Sequence, residues 1–338
     1  MQLRTNMEPN QPRRHHYLPR FYQIGFAEGG DGRLWVYDRG RQTPFHAHPN
    51  NICCEHEFYT IHSNGTPHRE IETDVLSRID CSAADAIRQL GCPQPLALDW
   101  KRRISFFMAL QITRSPTFRR VVTEAHRLAM ESYLHIGFAD VDRVRAQIAR
   151  YESKTGKTIG VTAEALVQAV TSGEIKAVAT ERPFFDHLFS HLNMLADSLE
   201  QRAWEVLGAP ARSGFLTCDY PVVVVPPNGS HMTGPAAPGS VILLPLTRRF
   251  CVRAIGGDGL ANRAADSREV RQINLNVAIS SERFVMGAGR FQLLDVVERS
   301  RTGASDPLQR GAVRLPSSGQ DCDLIEATLW PRRRYFPL

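Results

Sequence analysis

The feature that most constrains this chain is a double switch in the spacing of its apolar residues. Up to about residue 62 they fall in short β-type runs, Leu34-Trp35-Val36-Tyr37 and 57–62, with a Gly29-Gly30-Asp31-Gly32 turn ahead of the first. From Glu72 they recur at three- and four-residue steps, as in Val75, Ile79, Ala83, Ile87 and Leu90. Trp100–Thr113 is apolar enough to predict a buried helix, and further helices are expected over 117–136, 140–152, 162–171 and 183–207. Beyond Gly208 strand-like runs return at 215–225, 240–246, 250–254, 283–286 and 325–330, interrupted by one helix over 267–279. Strands, a helical block and strands again predict an α+β fold. Its sheet is expected to be mostly antiparallel, built from N- and C-terminal strands, with a large helical insertion at about 72–207. One domain is expected over 15–335, behind a disordered tail at 1–14.

No apolar run approaches the ~18 residues that span a bilayer, so no membrane partner is expected. The N-terminal residues lack the apolar centre of a secretory signal, and the seven cysteines, including adjacent Cys53-Cys54, follow no disulfide spacing. A reducing cytoplasm is the expected setting. Net charge is +6, carried mainly by arginine. Guanidinium forks match phosphate geometry, which favours a nucleic-acid or nucleotide partner. Gly256-Gly257-Asp258-Gly259 reads as a hairpin-type turn, and Gly287-Ala288-Gly289 lacks the rest of a dinucleotide fingerprint. The absence of a Gly-x-Ser-x-Gly elbow, a His-Glu-x-x-His pair and a phosphate loop weighs against the common hydrolase, zincin and NTPase classes.

Three segments carry groups suited to chemistry. In His15-His16-Tyr17-Leu18-Pro19-Arg20-Phe21-Tyr22, two imidazoles beside two phenols could move protons, or could simply enter a core and bond backbone. Gln111 and Arg114 share a helix face and could present an amide and a guanidinium to a phosphate; Arg114 could equally be a favourable helix C-terminal charge. Asp219, in Thr217-Cys218-Asp219-Tyr220-Pro221, stands where an apolar strand begins. It could orient a base or hold a divalent ion, or it could form an Asx-type turn with Thr217 doing likewise. His46, His48, Cys53, Cys54, His56, His62 and His68 lie close in sequence, but their spacing is too loose for a structural zinc, and none is expected.

The octet, followed by Leu34-Trp35-Val36-Tyr37-Asp38 and Glu57-Phe58-Tyr59-Thr60, resembles the opening of the domain of unknown function 4238 family, whose members typically begin His-His-Tyr-Val-Pro-x-Phe-Tyr. Gln111–Arg114 with Ser115-Pro116 is similar to its Gln-x-x-Arg-Thr-Pro segment. Thr217–Val222 is similar to its Thr-Ser-Asp-Asn-Pro-Val segment, with Tyr220 in place of the family's Asn, and Leu244–Thr247 to its Phe-Pro-Leu-Ser. The resemblance covers about residues 15 to 290 and groups His15, His16, Arg114 and Asp219 as a set, without naming a reaction.

The leading expectation is a hydrolase acting on a phosphodiester of nucleic acid or a nucleotide. His15 or His16 would transfer the proton, and Asp219 would orient it or hold Mg or Mn. Arg114 would take phosphate charge, with Tyr22, Tyr59, Gln111 and Thr217 placing the substrate. The alternative is a non-catalytic nucleic-acid or partner-binding module.

Overall fold

The computed structural model describes residues 13–27, 29–63, 66–68, 71–178, 182–227, 234–235 and 237–301, with two strands at 310–312 and 326–328. The expected tail at 1–14 thus lies outside the described residues as far as 12. In chain order the first elements are β1 (Arg14–His16), α1 (Arg20–Ile24), β2 (Leu34–Asp38), β3 (Thr43–Ala47), β4 (Cys54–His56), β5 (Ile61–Ser63) and β6 (Thr66–His68). Helices α2 (Ser77–Arg88), α3 (Trp100–Thr113), α4 (Pro116–Gly137), α5 (Val141–Thr155), α6 (Ala163–Thr171), α7 (Arg182–Ser190) and α8 (Leu192–Glu200) follow. Then come β7 (Ala203–Gly208), β8 (Thr217–Cys218), β9 (Val223–Val225), β10 (Val241–Pro245), β11 (Phe250–Ile255), β12 (Leu260–Ala264), α9 (Ser267–Ser280), β13 (Phe284–Gly287) and α10 (Arg290–Arg301). The last two strands are β14 (Arg310–Ala312) and β15 (Glu326–Thr328).

This is an α+β chain, and it divides into two compact units. One is built from the described residues up to 119 and from 186 to 301, the other from 120–185 with β14 and β15. In the second unit Asp140 caps α5 through the amides of Asp142 and Arg143, Gly156 ends that helix at a φ of 66°, and Thr162 caps α6.

The first unit holds two principal sheets, ordered β3-β2-β13-β8 and β12-β7-β11-β10-β9. N- and C-terminal strands interleave in the first; its pairings are antiparallel. In the second only β12–β7 is parallel. The helix α3 occupies the 100–113 stretch that its apolar run predicts, and it is buried from Phe107 to Thr113 without an exposed face. Trp100 begins it, donating its indole N–H to the Ala86 carbonyl at 2.8 Å and meeting Trp204 edge to face.

Four expectations change. The strand expected at 57–62 is instead a turn between β4 and β5, where Glu57 has a φ of 56° and its carbonyl accepts the Thr60 amide at 3.0 Å. The long helix at 183–207 becomes α7, α8 and then β7. From residue 203 the burial alternates, with Trp204 and Val206 inward and Glu205 half-exposed, and β7 is paired on both sides by β11 and β12. The single strand at 215–225 is two strands in different sheets, because Asp219 to Val222 carry the chain from one sheet to the other. Finally, the 256–259 turn joins no adjacent hairpin: it passes over the end of β7 so that β12 pairs on the far side. Gly257 and Gly259 supply the φ values of 108° and 123° that this needs.

No helix among the described residues is long and apolar enough to cross a membrane.

Candidate functional site

β1 pairs antiparallel with β4, placing Arg14 opposite His56, His15 opposite Glu55 and His16 opposite Cys54. Because successive side chains alternate, Arg14, His16, Cys54 and His56 share one face and His15 turns to the other. His15 is fully buried. Its Nδ1 accepts the Tyr59 amide at 2.8 Å, so the proton of the neutral ring sits on Nε2. The ring stacks on Tyr59 with centroids 5.8 Å apart. His16 is half-buried, and its Nε2 lies 3.2 Å from the Pro49 carbonyl, to which it donates. Burial first, then the nearby Arg20 and Arg14, hold its pKa below the usual histidine value despite that carbonyl. It is therefore neutral at pH 7. Arg14 and Arg20 are both exposed.

Beyond Tyr59, whose hydroxyl points to the Arg114 carbonyl at 3.5 Å, lies a buried polar cluster. Arg114 is 1% exposed, and its Nη1 bonds Asp80 Oδ2 at 3.0 Å. Gln111, its amide oxygen turned toward the guanidinium, accepts from Nε at 2.9 Å and from Nη2. The second Asp80 oxygen is buried without a partner, and burial raises the pKa of this carboxyl more than Arg114 lowers it. Arg114 is thus committed to protein groups on two sides. Its partner Asp80 was not foreseen; the only signal was an acidic residue beside Ile79 on a helix otherwise apolar toward the core.

Asp219 is buried, and its carboxylate accepts the amides of Glu282, Arg283 and Phe284 at 2.9, 2.7 and 3.1 Å. These three amides follow one another where the chain leaves the C-terminal end of α9 and enters β13. Burial pushes its pKa up to about 6 while the three amides pull the other way. The octet residue in its electrostatic reach is Tyr17, whose hydroxyl bonds the Cys53 thiol. Burial raises the Cys53 pKa, which leaves the thiol protonated and unreactive. Tyr22 donates its hydroxyl proton to the Pro245 carbonyl at 2.5 Å and sits 2.9 Å from the Thr217 hydroxyl.

The octet is therefore a hub. His15 leads to Tyr59 and Arg114, Tyr17 to Cys53 and Asp219, and Tyr22 to Thr217 and Pro245. These lie in one neighbourhood, but as three buried clusters rather than one open cleft. Asp219 does not fit the expected divalent ion, because three amides already occupy its oxygens. Among the described residues no three His, Cys, Asp or Glu side chains gather as metal ligands. The side chains of His62 and His68 lie outside the described residues.

An α+β chain whose motifs close around a buried N-terminal hub is a class defined by architecture, not by a reaction. The chain belongs to the family described as Protein of unknown function (DUF4238), whose model matches residues 14–290. No curated protein and no solved structure matches it.

Proposed function

We propose that this protein binds the phosphates of nucleic acid or nucleotides through a cationic face formed by Arg14 at the β1–β4 pair and Arg20 of α1. One observation carries the reading. His15, Gln111, Arg114, Thr217 and Asp219 are buried and hydrogen-bonded within the protein. Arg14, His16, Arg20 and His56, by contrast, reach solvent with no carboxylate partner among the described residues. Arg14 also donates to Cys54 Sγ at 3.0 Å, but exposed arginines that no carboxylate neutralises are what phosphate binding requires.

Titration of the purified protein with labelled RNA, single-stranded DNA and nucleotides at several salt concentrations tests this. Polymer binding is expected to weaken steeply with salt. Arg14→Ala with Arg20→Ala should lower the salt slope by about 1.4, at about 0.7 per lost phosphate contact. No polymer binding at low salt would end the reading.

Phosphodiester hydrolysis stays as a second reading because of His16. A neutral ring oriented by the Pro49 carbonyl, with Arg20 and Arg14 nearby, has the form of a general base. In this reading His15 and Asp219 hold structure. The same titration, scored for cleavage in wild type and His16→Ala, decides it.

A further inference from the structure

Resting on the phosphate-binding reading, we propose that the ligand is single-stranded nucleic acid whose bases stack on a surface cluster of Trp35, His46, Arg290 and Phe291. Trp35 and His46 stand opposite each other in the β2–β3 pairing, with ring centroids 5.1 Å apart and planes inclined by 33°. Arg290, the first residue of α10, holds its guanidinium over the same indole, 5.6 Å from the centroid. The strand that leads to it fixes this approach, since Gly287 pairs with Trp35. His46 and Arg290 are exposed, Trp35 is half-buried with part of its ring packed on the core, and Phe291 is 84% exposed. An isolated exposed phenylalanine needs no explanation. Phe291 follows Arg290 directly in α10 and offers an exposed ring one helical position from the Trp–His–Arg cluster.

The cluster runs directly into the cationic face. From His46 the chain continues extended through buried Ala47 to His48, so the two imidazoles share the side away from Ala47. His48 opens the turn whose Pro49 carbonyl receives His16 Nε2. Three extended residues cover about 10 Å. Stacking groups and phosphate-binding groups are therefore a few nucleotides apart along one band. Cations for the backbone beside aromatic planes for the bases is the combination that holds an unpaired strand. A duplex hides its base faces, and a polyanion without bases has none.

The test uses the full chain with three probes: a single-stranded RNA about 12 nucleotides long, the matching duplex, and inorganic polyphosphate. Trp100 and Trp204 still emit but are buried from contact with a ligand, so in a Trp330→Phe background a base-induced change in emission reports on Trp35. The single strand is expected to quench Trp35 and to bind at least about fivefold more tightly than either other probe. His46→Ala and Phe291→Ala, at exposed positions where the fold tolerates truncation, should each cost about fivefold or more for the single strand and nothing for polyphosphate. Equal or tighter binding of duplex or polyphosphate would overturn the stacking proposal while leaving phosphate binding intact. If no probe binds, both readings fall.

Discussion

A carboxylate that accepts three amide hydrogens and still titrates near pH 6 is under two opposed forces. Burial penalises the charge of Asp219, and the amides of residues 282–284 reward it. Its folded pKa of about 6 stands above the ordinary value of 3.8. Its contribution to stability is therefore fully present below pH 3.8 and is lost as pH rises through 6. Denaturant titrations of wild type and Asp219→Asn should show the stability difference between them shifting against wild type from pH 4 to pH 6.5. A flat difference would mean that the carboxyl does not titrate there. Asp219→Ala leaves three amides without an acceptor and should cost about 2 kcal/mol at pH 7, read from the same titrations. Arg114→Ala strands Asp80 and Gln111 in the interior and should cost about 3 kcal/mol. Lysine should not rescue it, because an ammonium cannot serve Asp80 and Gln111 as a fork does.

At the scale of elements, β13 packs closely against the chain entering its neighbour β8 in the same sheet. Gly287 faces Leu216, and a Cβ added there would overlap the leucine Cδ2. Gly287→Ala is expected to cost about 1–3 kcal/mol, and Leu216→Val in the same chain to recover part of it in a double-mutant cycle. Where one pattern dominates, the sequence is a sufficient guide: α3 is buried all round from Phe107 to Thr113 and lies at its expected residues, and α5 and α6 start at their Asp and Thr caps. Legibility fails where patterns compete. Ala203-Trp204-Glu205-Val206-Leu207 contains good helix formers after a helical run, and only its long-range pairing with β11 and β12 makes it a strand. β12 is exposed at all five positions and carries no alternation to read. α10 was not expected, with Gly287 and Gly289 marking a turn just before it. For the site, the sequence groups the octet with Gln111, Arg114, Thr217 and Asp219, and the structure holds most of these in buried hydrogen-bonded clusters around the octet. Their division into buried and exposed members was hidden, because whether His15 or His16 turns inward depends on the register of β1 against β4, forty residues away.

Taking the molecule as a whole, a net charge of +6 sets up a long-range attraction for polyanions that salt screens within about 10 Å. If the band from Arg290 to Arg14 binds a single strand, the strand should also stabilise the fold. At a hundredfold excess over its Kd, the gain is about 2.7 kcal/mol, seen as a rise in Tm that disappears at high salt. The same long reach of contacts shapes how the chain comes off the ribosome. Arg283 meets Asp38 across 245 residues, and Tyr22 meets Pro245 across 223. β2 thus leaves the exit tunnel long before its partner β13 exists, and Tyr22 of the hub long before Pro245. The hub stays incomplete through most of translation, an interval in which chaperones or an early-bound ligand would decide between folding and aggregation.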